Sequence, residues 1–193
     1  METRNELYPI FLRTDRFRTL IVGGGKVALE KLAFLYKSSP RSKVTALSLE
    51  FIPEVMELLE ARGAKVIIGP YLPAALDGHH LVIAATNVRS TNARIHSDAR
   101  ARHLLVNVAD TPDLCDFYLG GIVTKGDVKI GISTNGRSPS LAKALRIFFE
   151  TALPEDIDQL AKSLNRYRSQ LGSDLEERVA AMSEVTELLI QGR

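Results

Sequence analysis

The sequence has few cysteines, no long apolar run and no secretory signal pattern, and each of these absences excludes a class of protein. Its 193 residues include one cysteine, Cys115, which excludes an internal disulfide and a cysteine-rich zinc site. No apolar run approaches the roughly 20 residues that cross a bilayer. The first residues, METRNELYPIF, lack the charged-then-apolar order of a secretory signal. We therefore expect a cytoplasmic protein without a membrane-spanning segment.

An excess of charge of one sign is also missing. The chain carries 25 basic and 23 acidic residues, and its formal net charge is +2. A surface that binds nucleic acid normally needs a larger basic excess, so we expect no nucleic-acid partner. An anionic ligand would have to be bound by local groups of basic side chains.

Strand-like and helix-like patterns alternate through the first part of the chain. Short apolar runs occur at residues 19–22, 43–47, 65–69, 81–85 and 104–110. Apolar residues at helical spacing occupy most of the segments between them. Strands that are apolar throughout are typical of a parallel sheet covered by helices on both faces. The pattern predicts an α/β fold, a Rossmann-like doubly wound sheet, over residues 1–113.

The pattern changes after residue 113. Two β-rich runs flank Lys125-Gly126-Asp127 and predict an antiparallel hairpin with a three-residue turn. Pro139 is placed to begin a helix that runs to Pro154, and residues 155–190 have the apolar spacing of two further helices. We divide the chain into a nucleotide-binding domain (1–113), a dimerisation region (114–153) and a small C-terminal helical domain (154–193). The hairpin and helices are too small for an independent core, so we expect a homodimer.

Three consecutive glycines lie between the first strand and the first helix, in LIVGGGKVALEK. Gly23, Gly25 and Ala28 have the spacing of the dinucleotide fingerprint, in which the first glycine permits a tight turn and the second lets backbone approach a pyrophosphate. A glycine turn without a ligand is the alternative. The acidic residue that usually binds the ribose has no clear counterpart, because the second strand ends in neutral residues and only Glu50 is near. Ribose binding by backbone or by Ser48 therefore stays open.

Asp110 ends the last predicted strand, at the sheet edge where α/β proteins bind their ligands. An aspartate is normally ionised at neutral pH and can act as a base. The alternative is a plain turn residue, since DTPD is also good turn chemistry. Asn107, three residues earlier, could bind a cofactor or hold the loop.

Six segments together resemble one protein family. YPIFL, LIVGGGKVALEK, FIPE, LVIAATN, NVAD and STNGRSPSLAKALR occur in the order and spacing of the precorrin-2 dehydrogenase and sirohydrochlorin ferrochelatase family, which also forms the N-terminal part of bifunctional siroheme synthases. The resemblance covers about residues 8–153. It implies NAD-dependent oxidation of precorrin-2 to sirohydrochlorin in siroheme biosynthesis, and in some members insertion of a metal such as ferrous iron or cobalt.

The resemblance also implies roles for individual residues. The family's catalytic aspartate corresponds to Asp110. Its cofactor contacts correspond to Gly23, Gly24, Gly25, Lys26, Val27, Leu49, Ala85 and Thr86, and Asn107 is a further candidate. For the carboxylates of the tetrapyrrole we expect Arg137, Ser138, Lys143 and Arg146 near a helix start; for Lys143 and Arg146 a solvated helix face is the alternative. The four histidines lack ligand spacing, and we expect no resident metal site.

Two other functions remain as alternatives. The chain could be an NAD-binding regulatory module without catalysis, but that function leaves Asp110 and the cations of GRSPSLAK unexplained. It could also be a chelatase that has lost dehydrogenase activity, but that function leaves the intact glycine turn GGGKVA unexplained. Oxidation of precorrin-2 explains both features.

Overall fold

The structure is a computed structural model that describes residues 5–172 and 174–191. The chain forms two compact units. The first runs to Gly120 and includes Ser133–Ser138, and the second contains Gly121–Ile132 and the chain from Pro139 onward. The functional division at residues 113 and 153 stays a prediction. Within the described residues, no helix is both long enough and apolar enough to cross a membrane.

The first unit contains a five-stranded parallel sheet. Its strands are β1 (Arg18–Val22), β2 (Lys43–Ser48), β3 (Lys65–Ile68), β4 (Leu81–Ala84) and β5 (Leu105–Val108), and its helices are α1 (Lys26–Ser38), α2 (Pro53–Ala61) and α3 (Arg89–Ala101). The strand order is β3-β2-β1-β4-β5, which confirms the predicted doubly wound sheet. The order reverses between β1 and β4, and sheets of this kind bind ligands at the carboxyl ends of the strands beside such a reversal.

Both faces of the sheet are buried, which explains why its strands are apolar throughout. Alternate residues of a strand point to opposite faces. Leu20 and Val22 pack on one face with Ile95 of α3, whereas Ile21 packs on the other with Leu32 of α1. All five are at most 3% exposed, and full burial of such a side chain stabilises the fold by about 2 kcal/mol. The two packed faces make the sheet a firm support for the loops at its edge.

The second unit contains a hairpin and three helices, as predicted. Its elements are β6 (Gly121–Lys125), β7 (Val128–Ile132), α4 (Pro139–Ala152), α5 (Ile157–Gln170) and α6 (Leu175–Gln191). The expected three-residue turn is wrong, because Lys125 pairs with Val128 and leaves only Gly126 and Asp127 between the strands. Gly126 has φ +55°, the left-handed conformation that two-residue hairpin turns require at their first position.

His79 lies in the connection before β4 and makes the stability of the fold depend on pH. Burial lowers the pKa of its imidazole below the ordinary value of 6.5, and the charges of Arg18 and Lys65 act in the same direction. The unfolded chain therefore binds more protons than the folded chain as the solution is acidified. Stability is fully present above about pH 6.5 and falls as the pH drops toward the lowered pKa.

We expect His79→Gln to lose less stability on acidification than the wild type, because glutamine does not titrate. Urea unfolding at a series of pH values from about 7.5 to about 5 measures this difference. His96→Gln, the same substitution at another histidine, is the matched control for the change of residue type. Equal pH slopes for His79→Gln and the wild type would show that His79 is not the titrating group.

Candidate functional site

The first glycine of the turn is fixed between two neighbouring strands. Gly23 has φ +130°, and a Cβ there would lie 2.3 Å from the carbonyl oxygen of Ala85. Its N–H donates to the carbonyl of Leu47 in β2 (2.8 Å). Only glycine can adopt this conformation at so close an approach, so Gly23 determines the path of the turn at the carboxyl edge of the sheet.

The second glycine packs on the segment that follows β2. A Cβ at Gly24 would lie 2.0 Å from the carbonyl oxygen of Glu50. The carbonyl of Gly24 accepts a hydrogen bond from the N–H of Ile52 (2.9 Å). Leu49 in the same segment is 67% exposed, so its apolar side chain is available to a ligand at this edge.

The third glycine faces open space. A Cβ at Gly25 would meet no other atom within 4 Å. Gly25 is the extended N-cap residue of α1 and makes no side-chain cap, and Gly25, Lys26 and Val27 are all exposed. The first N–H groups of a helix lack intrahelical partners and attract anions. The space beside Gly25 and the start of α1 therefore fit the pyrophosphate of a dinucleotide.

Asn92 of α3 holds the segment that follows β4. Its side chain is 7% exposed; its Oδ1 accepts hydrogen bonds from the N–H (3.2 Å) and Oγ1 (2.6 Å) of Thr86, and its Nδ2 donates to the carbonyl of Thr86 (3.0 Å). The preceding Ala85 is 5% exposed. These bonds already occupy the polar atoms of Thr86. We therefore expect Ala85 and Thr86 to contact a cofactor through van der Waals packing rather than through hydrogen bonds. Sequence reasoning missed Asn92.

Asp110 lies two residues beyond the end of β5 rather than at the end of the strand. It is exposed and has φ +57°, a left-handed conformation that is uncommon outside glycine but tolerated by aspartate and asparagine. Its carboxylate forms no hydrogen bond or ion pair with any residue that the structure describes. Uncommon backbone conformations concentrate at functional sites, so Asp110 is the strongest candidate for a catalytic group.

Three side chains fasten the loop of Asp110 to β5. Asn107 Nδ2 donates to the carbonyl of Phe117 (2.7 Å). Asp116 and Cys115 each accept a backbone N–H of β5, at 3.0 and 3.3 Å. Burial raises the pKa of the Cys115 thiol, which fits a hydrogen-bonding role rather than a nucleophilic one. Of the two roles considered for Asn107 these bonds favour support of the loop, and a cofactor contact stays a prediction.

Arg137 and Ser138 belong to the unit that contains the sheet. They follow a tight turn in which Asn135 and Gly136 have φ values of +54° and +72°, and the N–H of Arg137 donates to the carbonyl of Thr134 (3.0 Å). Asparagine and glycine are the residues that such a turn favours. Arg137 is exposed two residues before the start of α4, and its role in substrate binding stays a prediction.

Lys143 and Arg146 lie on α4 and belong to the other unit. Lys143 is exposed. Arg146 forms an ion pair with Glu150 one helical turn away. Because this carboxylate already neutralises its guanidinium group, Arg146 is a weak candidate for binding a substrate carboxylate.

Comparisons with known proteins agree with this geometry. The family model NAD_binding_7, for NAD(P)-binding domains, matches residues 10–121. The siroheme synthase of Psychrobacter cryohalolentis is 37% identical over 164 residues, 85% of this chain and 31% of that protein. The siroheme synthase of Pseudomonas fluorescens strain SBW25 is 36% identical over 183 residues, 93% of this chain and 39% of that protein. The chain spans about a third of the length of these curated relatives.

A solved structure shows the same fold. SirC, a precorrin-2 dehydrogenase, matches with a TM-score of 0.73 at 21% identity, covering 93% of this chain and 89% of that one. The likeness confirms the predicted order of a parallel sheet, a hairpin and C-terminal helices. Together with the family model, which matches more than half of the chain, these findings assign the family. The chain belongs to the NAD_binding_7 family of NAD(P)-binding domains and is a relative of the siroheme synthases.

Proposed function

We propose that the chain catalyses the NAD-dependent oxidation of precorrin-2 to sirohydrochlorin in the cytoplasm, where NAD is available. One observation carries the proposal: the carboxylate of Asp110, exposed and without a partner among the described residues, follows β5 at the sheet edge where the glycine turn follows β1. One strand, β4, separates β1 from β5, a distance of about 10 Å. The names of the relatives, siroheme synthase and precorrin-2 dehydrogenase, supply the substrate class.

The oxidation removes one hydride and one proton from the reduced macrocycle. A bound nicotinamide supplies the hydride acceptor. Asp110 takes the proton, because its carboxylate has no partner within the described chain and faces solvent. The bonds of Asn107, Cys115 and Asp116 hold the loop that carries this base.

The cofactor and substrate contacts are part of the same proposal. The glycine turn and the start of α1 would bind the pyrophosphate through backbone N–H groups, and the exposed side chain of Leu49 would contact the cofactor. The proposed cofactor residues are Gly23, Gly24, Gly25, Lys26, Val27, Leu49, Ala85 and Thr86. Arg137 and Ser138 bind carboxylates of precorrin-2 in this proposal, and the roles expected for Lys143 and Arg146 in substrate binding stay predictions.

An anaerobic assay with enzymatically generated precorrin-2 tests the proposal. We expect the absorbance of sirohydrochlorin to rise only when both the chain and NAD are present. A regulatory module would instead bind NADH and leave precorrin-2 unchanged. If folded protein binds NADH but converts no precorrin-2, the result would contradict the dehydrogenase and support the regulatory function.

We also propose that the product accepts ferrous iron or cobalt at the same site. Metal insertion displaces two pyrrole protons, and Asp110 is available to accept them one at a time, releasing the first to solvent before it accepts the second. Within residues 5–172 and 174–187, no group of three or more histidine, cysteine, aspartate or glutamate side chains could hold a metal ion. In this proposal the metal enters as a substrate. If the metal enters sirohydrochlorin no faster with the chain than in a protein-free solution, the proposal that the chain catalyses metal insertion is wrong.

We propose that the second unit pairs with a second copy of the chain. Among its residues whose side chains are described, only Val123 is buried. Leu141 and Phe148 of α4, seven residues apart and therefore on one helix face, are 51% and 58% exposed. A homodimer would cover these apolar side chains.

We expect Phe148→Glu to convert the dimer into a monomer, because a carboxylate would be buried in an apolar interface. Light scattering at micromolar concentration measures the mass of each variant. Arg168→Glu, an exposed charge change on α5, is the control and should remain dimeric. A monomeric wild type, or a dimeric Phe148→Glu, would refute this interface.

A further inference from the structure

We propose that the amino edge of the parallel sheet is a docking surface for an acidic protein. Three neighbouring strands begin with an exposed cation: Arg18 in β1, Lys43 in β2 and Lys65 in β3. We call these three residues the basic edge. The proposed cofactor and substrate sites lie at the opposite, carboxyl edge of the sheet, so the inference is independent of the proposed function.

The three cations lie on one face of the sheet. Arg18 pairs in register with Lys43, and Lys65 pairs with Thr45, two residues beyond Lys43. Side chains alternate between the faces of a strand, so residues that pair, and residues that are two apart, share a face. Neighbouring strands are about 5 Å apart. The basic edge therefore concentrates three positive charges in a short row.

No carboxylate neutralises this row. Within the described residues, none of the three side chains forms an ion pair or donates a hydrogen bond. Burial lowers the pKa of His79, and the charges of Arg18 and Lys65 lower it further, so these two cations act on the same place. Like charges at such short spacing repel one another. An anionic partner would relieve this repulsion.

A small cavity adjoins the basic edge and adds a further cation. The segments 12–15 and 39–41 line this cavity, whose volume is about 230 Å³. The N–H of Lys43 donates to the carbonyl of Thr14 (3.3 Å), which places the cavity beside the first residue of β2. Arg41 is exposed and has no ion pair within the described chain. The cavity can thus receive an acidic side chain of a partner.

The chain that leads into the cavity exposes large apolar side chains. Tyr8, Ile10 and Phe11 are 86%, 58% and 71% exposed. Protein interfaces combine an apolar centre, rich in aromatic residues, with a polar rim, and neighbouring exposed apolar side chains mark such interaction sites. Apolar residues next to unneutralised cations therefore fit a protein that presents both apolar side chains and carboxylates.

The ion pairs around the basic edge favour a protein over a nucleic acid. Arg13 pairs with Asp15 (3.2 Å), and Arg102 pairs with Asp77 (3.4 Å). A nucleic acid carries closely spaced phosphates along its whole length, and these carboxylates would repel them. A protein can place its carboxylates on the free cations and other side chains beside Asp15 and Asp77. The formal net charge of only +2 agrees with this choice.

The binding of a fluorescently labelled copolymer of glutamate and tyrosine, followed by anisotropy, tests the inference on the full chain. We expect Lys43→Glu/Lys65→Glu to bind the copolymer about tenfold or more weakly than the wild type, because like charges across an interface repel. Arg166→Glu/Arg168→Glu makes the same change of charge at exposed residues of α5 and should bind like the wild type. Phe11→Ser should also weaken binding, because it removes an aromatic contact.

Two further measurements keep the test independent of folding and of the cofactor. Thermal unfolding shows whether each variant is folded. If the reversed charges prevent folding, Lys43→Gln/Lys65→Gln removes the charges without reversing them and should also weaken binding. NADH titration of the same variants should give the wild-type affinity, since the glycine turn lies at the other edge of the sheet. Failure of NADH binding in the wild type would count against the proposed function alone.

Four results would overturn the inference. The first is a wild type that does not bind the copolymer. The second is unchanged binding in the folded variants of Lys43 and Lys65, or an equal loss in Arg166→Glu/Arg168→Glu. The third is unchanged binding in Phe11→Ser, which would indicate plain attraction of a polyanion. The fourth is tighter binding of oligouridylate or of phosphatidylserine vesicles, which would assign the surface to a nucleic acid or a membrane.

Discussion

Asp110→Asn lowers the rate of precorrin-2 oxidation by about 10²- to 10⁴-fold, the usual contribution of a general base, and leaves NADH binding and the thermal midpoint close to the wild type. Asparagine has nearly the same shape as aspartate and tolerates the φ of +57° at this position. The substitution therefore removes the charge without adding backbone strain. Initial rates in the anaerobic assay, with NADH titration and thermal unfolding in parallel, measure the three quantities.

Asp113→Asn is the matched control for this prediction. Asp113 is an exposed aspartate in the same loop, so the variant makes an equal change of charge three residues away. We expect it to retain wild-type activity. An Asp110→Asn variant with the full rate would show that Asp110 is not the base. An equal loss in both variants would indicate a general effect of charge in the loop.

Gly25→Asp strongly weakens NADH binding while the fold remains intact. Aspartate is a favourable N-cap residue, and its Cβ would meet no other atom within 4 Å, so we expect thermal stability equal to or above the wild type. The new side chain occupies the space beside the start of α1 and places a negative charge where the pyrophosphate would bind. We expect the affinity for NADH to fall by about 100-fold or more, as measured by nicotinamide fluorescence.

Two further glycine variants separate binding from folding. Gly172→Asp introduces the same side chain at another glycine with open space, and we expect it to bind NADH normally. Gly23→Ala should lower the thermal midpoint, because its Cβ would collide with the carbonyl of Ala85. Normal NADH affinity in a folded Gly25→Asp would mean that the turn does not hold the pyrophosphate.

The elements of the fold could be predicted because their patterns are local. The alternation of apolar strands with helices predicted a parallel sheet covered on both faces. Pro139 predicted the start of α4. The length of the hairpin turn could not be predicted, since the pairing of Lys125 with Val128 depends on Gly126 adopting a left-handed conformation that a glycine permits but does not require.

The site could be predicted only in part, because its details depend on contacts between distant segments. The spacing of Gly23, Gly24 and Gly25 predicted a turn, but not that the first two pack on other strand ends while the third faces open space. Asn92 gave one weak signal, a polar residue at helical spacing with buried residues of α3. Its three bonds to Thr86 depend on how α3 packs beside β4, which no local pattern specifies.

The most direct test of the proposed function is the stoichiometry of one anaerobic reaction. Purified chain, precorrin-2 and NAD are mixed, and the absorbances of NADH and sirohydrochlorin are followed together. We predict that one NADH forms for each sirohydrochlorin, with the same rate constant, and that neither forms when NAD is omitted. Two results would contradict a dehydrogenase that uses Asp110 and the glycine turn. One is sirohydrochlorin formation at an unchanged rate without NAD. The other is folded protein that binds NADH but converts no precorrin-2.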